Sequence, residues 1–388
     1  MPDYDTIDNR QSTPSLGAVT NHLRLTFSAS SGSWLHVDAA YDFSPRIQDP
    51  KLFEENIFFG AIDPYSYRVT DFNSRLYPGQ NKAVGSFGVF HNVDRLMVTI
   101  KTGKADILIG RQPIAWGSGR FVSPTDIIAP FAFNELDTED RRGVDAVRVR
   151  IPLGTLDELD MGYVLGRDFQ FPKSAFFLRG KVHVLKTDLS ALFMGFRQHL
   201  MVGLDAARAI GGAGSWVEAA YVSPYFFVKD KKSIPIGHAY RKSYVRFSAG
   251  MDYNFPGQVY AFFEYHYNSA GGKNPSQYAD LFQTPAYRDG AVYLMGQHYL
   301  NLGVTKQITP LIPFTGMVIV NMTDGSVVIS PSAEYNISEN MYLGGGAYIG
   351  MGKRPTLSPL TVVPPIIGFH SEFGTYPAML YTTFRIYF

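Results

Sequence analysis

Two adjoining stretches, Tyr244–Phe255 and 258–268, alternate side-chain character for longer than a soluble strand needs. In the first, Val245, Phe247, Ala249, Met251, Tyr253 and Phe255 point one way, and Arg246, Ser248, Gly250, Asp252 and Asn254 the other. In the second, Val259, Ala261, Phe263, Tyr265 and Tyr267 oppose Tyr260, Phe262, Glu264, His266 and Asn268. Pro256 and Gly257 separate them, which reads as a hairpin. Soluble strands average about five or six residues, whereas a tilted strand crossing a bilayer takes roughly nine to eleven. One apolar face ending in aromatics and one polar, charged face suit a strand between lipid and a wet lumen.

The same alternation recurs along nearly all 388 residues. In 22–30, Leu23, Leu25, Phe27 and Ala29 oppose Arg24, Thr26 and Ser28. After 31–33, Leu35, Val37, Ala39, Tyr41 and Phe43 oppose His36, Asp38 and Asp42. Further candidates are 65–77, 94–102, 104–112, 143–152, 158–166, 175–186, 188–197, 198–208 and 215–223. Beyond the hairpin come 297–308, 311–321, 326–337, 340–350 and 376–388. The expected fold is all-β, a transmembrane antiparallel up-and-down barrel of about 18 strands, with about 16 as the alternative. Residues 1–20 are expected as a periplasmic N-terminal segment and 21–388 as a single barrel domain.

Connector lengths support this. Connections after even-numbered strands are mostly short, such as Thr102-Gly103, Pro256-Gly257 and Ser338-Glu339; several after odd-numbered strands are long, namely 78–93, 113–142, 224–243, 269–296 and 351–375. Short periplasmic turns and long external loops are the rule for such barrels, and the pattern predicts an even count with both termini in the periplasm. One connector, 44–64, is long on the short side. A plug or an overlooked hairpin would account for it.

Composition narrows the function. No apolar run approaches the roughly 18 residues of a membrane helix; 189–204 is broken by Arg197, Gln198 and His199. A formal net charge of +1 does not suit a dedicated nucleic-acid binder. Without cysteine, the chain forms no disulfide, thiolate metal site or covalent c-type haem. The start, MPDYDTIDNR, shows no basic segment followed by an apolar one, so a mature, exported form is expected.

The chain ends TTFRIYF on Phe388. With the strand pattern, this resembles the C-terminal strand of Gram-negative outer-membrane proteins, porin-like proteins above all, over about residues 20–388. The resemblance implies a bacterial outer-membrane location, contact with outer-membrane lipid, and recognition of the terminal Phe by the barrel-assembly machinery. It also implies homotrimers, common among general porins. The stretch GRQPIAWGSGRF at 110–121 resembles a segment of large proteobacterial outer-membrane families of poorly assigned function. A soluble sandwich or propeller would need the apolar faces to pack on one another, and no blade-length repeat is visible.

Strand phase places Arg24, Arg148, Arg150, Arg179 and Lys181 on the inner face, as a basic stripe with His183 and Arg95. Asp38, Asp42, Glu218, Asp252, Glu264 and Glu334 are also inward, with Arg246 among them. Opposed charges would select ions by sign and size, or merely bridge strands. The loop 113–142 offers Asp126, Glu135 and Asp137 for a constriction. In general porins the loop at that position folds inward, as the resemblance implies. Aromatics near strand ends, such as Tyr221, Tyr253 and Tyr265, read as interfacial girdles.

No catalytic or metal-binding motif appears: G-x-S-x-G, HExxH, P-loop and EF-hand patterns are absent. His266 with Glu264, and His199 with Asp205, lack a nucleophile motif. The expected function is therefore passive diffusion of ions or small polar solutes, without a cofactor. Alternatives are a barrel sheathing a multihaem cytochrome partner, an exporter of an anionic polysaccharide, and a lipid or hydrocarbon channel with an apolar tunnel or lateral opening.

Overall fold

The structure is a computed structural model that describes residues 15–50, 52, 67–70, 74–79, 81–131, 140–229, 242–357 and 367–388. One sheet holds 19 strands, of which Ala18–Thr20 and Ser74–Tyr77 are short pieces and the other seventeen form the wall. In chain order these are β1 (Leu23–Ser31), β2 (Leu35–Gln48), β3 (Phe87–Lys101), β4 (Asp106–Gln112), β5 (Val144–Pro152) and β6 (Glu158–Val164). Next come β7 (Ala175–Val184), β8 (Thr187–Phe196), β9 (His199–Ile210), β10 (Ala213–Ser223), β11 (Tyr244–Phe255) and β12 (Val259–Asn268). The last five are β13 (His298–Thr309), β14 (Ile312–Asn321), β15 (Val327–Ser338), β16 (Met341–Met351) and β17 (Met379–Ile386). Every consecutive pair is antiparallel. The fold is that of a transmembrane up-and-down β-barrel.

Alternation decides which face each residue takes. Leu25, Phe27, Val147, Leu178, Leu204, Val217, Phe263, Leu302 and Phe384 are exposed on the outside. Their polar neighbours face in, as the period of two requires. The opening hairpin matches its sequence reading: Phe247 faces Tyr267 and Met251 faces Phe263 across the ladder.

The 65–77 segment departs from expectation. Its described residues 67–70 lie outside the strands, and Ser74–Tyr77 pairs briefly with Val89–His91. The wall passes directly from β2 to β3, from Leu35 opposite Ile100 to Ile47 opposite Phe87. The cause is length: β2 continues through Arg46 to Gln48, so it reaches the loop end itself and leaves no place for a returning strand beside it. With 65–77 out of the wall order, the connection from β2 to β3 falls on the loop side, where long connections are expected; residues 53–64 of the 44–64 connector lie outside the described ones. Parity changes with it. β1 runs from the loop end to the turn end, as β17 does, and Ala18–Thr20 pairs with Arg46–Gln48 at the loop end. The described wall thus starts at the loop end and finishes at the turn end, and the expectation that both termini lie at the turn end turns on residues before it. Residues 1–14 lie outside the described ones.

In β3 the register to β2 slips between Ala40 and Tyr41, which pair with Arg95 and Val93. Such a bulge turns two successive residues toward one side, here Asp94 and Arg95. Inside the barrel, apolar side chains of the long loops fill one side near the loop end. Ile114, Trp116, Ile127 and Ile128, with Tyr278, Tyr287 and Met295, pack against Phe177, Met194, Met201, Val222 and Tyr244. The Trp116 and Phe177 rings meet edge-on with centroids 4.6 Å apart.

Candidate functional site

The segment 116–125 lies inside the barrel, held by carboxylates of the wall. On β10, Glu218 accepts from the backbone N–H of Ser118 (3.1 Å), Gly119 (3.1 Å) and Thr125 (2.7 Å), and from the hydroxyls of Ser123 (2.7 Å) and Thr125 (2.6 Å). On β12, Glu264 accepts from the N–H of Arg120 (2.6 Å), Phe121 (3.2 Å) and Val122 (3.1 Å), and from Trp216 Nε1 (2.9 Å). Asp205 takes Ser118, and Asp252 pairs with Arg120 at 3.0 Å. Ser248 donates to Val122 O at 2.7 Å. Gly117 makes the approach feasible: its φ is +97, and a Cβ there would lie 1.8 Å from Ser123 Oγ and 2.6 Å from the Glu218 carboxylate.

Several residues expected to line the pore are therefore behind the loop. Glu218 and Glu264 are wholly buried and Arg246 is 2% exposed. The Arg246 Nε and Nη1 atoms have no hydrogen-bond partner among the described residues. Asp126 is buried and paired with Arg141, which also donates to Ala129 O at 2.9 Å. Burial pushes the Asp126 carboxyl up to about 6, against the lowering effect of Arg141. Glu135 and Asp137 lie outside the described residues.

The basic stripe is a ladder of cross-strand ion pairs. Arg148 grips Asp160 through two bonds of 2.8 and 2.7 Å, Arg150 pairs with Glu158, and Lys181 reaches Asp188 at 3.3 Å. Asp188 also takes His183 at 2.6 Å. Arg179 alone of the expected stripe has no ion pair among the described residues. A second network sits around the bulge: Arg24 contacts Asp42 (2.9 Å), Asp94 (3.0 Å) and Asp140 (3.1 Å). Arg68, which the sequence reading overlooked, meets Asp94 at 3.2 Å and Gly143 O at 2.8 Å.

Open space lies on the side of the wall away from β9–β12, which hold the loop. A cavity of about 2570 Å³ follows β1–β3 and β14–β17, lined by Arg24, Asp38, Arg95, Asp140, Thr315, Glu334 and Arg385. Of the wall residues expected to line a pore, Arg24 and Asp38 border it; Arg148, Arg150, Arg179, Lys181, Glu218, Arg246, Asp252 and Glu264 do not. Near its loop end, 371–375 is tied down through Glu372. This buried carboxylate accepts from Met295 N–H (3.0 Å), Asn321 Nδ2 (2.7 Å) and the Tyr299 hydroxyl. Burial pushes Glu372 up to about 7, opposed by these donors.

The histidine pairings weighed for catalysis are not formed. His266 bonds Ser248 at 2.8 Å while Glu264 holds the loop. His199 lies against Asp289 and Tyr225, and Asp205 belongs to Ser118.

No family model and no curated protein matches the chain. Solved structures do. OccAB2 of Acinetobacter baumannii is 9% identical, with 94% of this chain and 92% of that one covered and a TM-score of 0.53. OpdL of Pseudomonas aeruginosa is 9% identical, with 97% and 94% covered and a TM-score of 0.50. At such identity the likeness is one of architecture. The chain has the fold of Gram-negative outer-membrane, porin-like β-barrels.

Proposed function

We propose that this protein is a bacterial outer-membrane channel for passive diffusion of ions or small polar solutes, with residues 21–388 as its barrel domain. The carrying observation is the cavity of about 2570 Å³ beside the moored loop, bordered by Arg24, Arg95 and Arg385 on one hand and Asp38, Asp140 and Glu334 on the other. An apolar exterior suits the acyl layer, and strand-to-strand hydrogen bonds along the wall satisfy backbone groups where water is absent. The inner wall spends most of its charge internally, on loop anchorage and ion pairs. The path therefore presents mixed, largely neutralised charge, which suits a weakly selective channel rather than a polyanion exporter. A cytochrome sheath needs an unobstructed bore, and the 116–131 segment occupies part of this one. We assign no catalytic residue, because the Ser248–His266 pair is fully covered by the loop.

The test is conductance of the purified chain in planar bilayers. Discrete steps with a small reversal potential under a salt gradient are expected. A silent protein, or one that conducts only with a haem protein added, would overturn the proposal.

A further inference from the structure

One register row crosses the inner face of the wall from β12 to β17. Tyr260 stands opposite Thr305, Thr305 opposite Thr315, and Thr315 opposite Ser332. Ser332 stands opposite Gly346, and Gly346 opposite Tyr381. The period of two turns all of them inward. The row offers three hydroxyls between two phenol rings and carries no charge. On the other side of the barrel, the row Asp106, Arg150, Asp160, Arg179 across β4–β7 is charged at every position. Thr315, Ser332 and Tyr381 border the cavity, and the Thr305 and Thr315 hydroxyls meet at 3.1 Å. Tyr381 lies across Gly346: a Cβ there would stand 2.6 Å from the Tyr381 hydroxyl and 2.8 Å from its Cζ. One side of the ring therefore rests on bare backbone while the ring lines the open space. Tyr348 lies beside it, centroids 5.9 Å apart and planes at 27°, an offset stack that lengthens the aromatic surface along β16. At the far end, Tyr260 is fixed by donating to Asp252 at 3.0 Å.

We propose that this row is the recognition track of the channel, and that the solute it selects is an uncharged, hydroxyl-rich ring compound, a short saccharide. This inference rests on the channel reading above and names its solute class. A pyranose has an apolar C–H face and a rim of hydroxyls. Aromatic faces match the first, and threonine and serine hydroxyls, which both donate and accept, match the second. Strands lie about 4.8 Å apart, so Ser332 and Tyr381, two strands from each other, can address neighbouring sugar rings. The cations beside the row give an anion no comparable advantage, because Arg385 is held by Glu334 and Arg24 by three aspartates.

The test uses the full chain in planar bilayers in concentrated potassium chloride. Maltotriose and cellotriose, added separately, are the probes, and polyethylene glycol of the same mass is the neutral comparison without rings or a hydroxyl rim. At least one saccharide should interrupt the ion current saturably, while the glycol lowers it only in proportion to its concentration. Tyr381→Ala should weaken the saccharide block severalfold and Tyr381→Phe should retain it, the ion current of each variant reporting that it has folded. Thr315→Val, which keeps the shape and loses the hydroxyl, should weaken the block as well and stands in where Tyr381→Ala fails to insert. Ion current with both saccharides acting like the glycol would overturn the track and leave the channel standing. No ion current from the unaltered chain would overturn the channel reading and the track with it. A saccharide block that neither Tyr381→Ala nor Thr315→Val weakens would overturn the assignment to this row.

Discussion

At the residue scale, side-chain direction was legible in the sequence and side-chain purpose was not. Alternation placed Glu218, Glu264 and Asp252 inward, where they are, but nothing in a strand pattern says what comes to meet an inward acid. A usable signal was present in 117–120, Gly-Ser-Gly-Arg, where small residues let successive N–H groups converge on one anion. Glu218→Ala leaves several buried donors without an acceptor, each costing about 1–3 kcal/mol. We expect this variant to unmoor the loop, raising single-channel conductance and its noise; unchanged steps would show that the loop stays in place without Glu218. The arginine stripe behaves differently. Arg148→Gln strands the fully buried Asp160, and removing one partner of a buried pair costs roughly 3–5 kcal/mol. Thermal stability should fall while the reversal potential holds, because Arg148 does not border the cavity. A shifted reversal potential at unchanged stability would return Arg148 to the conducting path.

At the element scale, long strands with tight turns were recoverable because their period is local information. The 65–77 segment was misread because short alternation around Tyr67, Val69 and Leu76 imitates a strand. What excludes it is the extension of β2 to Gln48 and its pairing with residues some fifty positions later, which no local pattern reports. The long loops were identified by length alone; how they dock depends on buried carboxylates. Glu372 illustrates the consequence. Its carboxyl is raised by burial to about 7 in the folded state from an ordinary 4.5, so the folded form holds its proton more tightly. That contribution to stability is complete below about pH 4.5 and is lost as pH rises through about 7. Asp126, raised to about 6, acts in the same sense from a lower pH. Melting temperature should therefore decline between pH 5 and 8 beyond what the rest of the chain causes, and Glu372→Gln should flatten that decline. An unchanged profile in the variant would remove Glu372 as the source.

At the scale of the whole molecule, the barrel divides into a filled side and an open side, and selectivity belongs to the open one. Loop anchorage consumes the acids of β9–β12, and ion pairs consume the cations of β5–β8 apart from Arg179, so neither wall projects much uncompensated charge. Around the cavity, Arg24 is held by three aspartates and Arg385 by Glu334. Arg354, also at the cavity, is exposed and has no ion pair among the described residues. A pore lined this way should show only a slight anion preference, and salt should screen it within about 10 Å at 0.1 M. Under a tenfold potassium chloride gradient the reversal potential should lie near zero and move toward it further as both baths are raised in concentration. Arg354→Gln should erase most of what preference exists, whereas neutralising Arg150 and Lys181 together should not, because both are paired with acids and neither borders the cavity. If the second pair proves decisive and Arg354 inert, then ions travel along the β5–β8 wall, and the loop must leave that side of the barrel for conduction to occur.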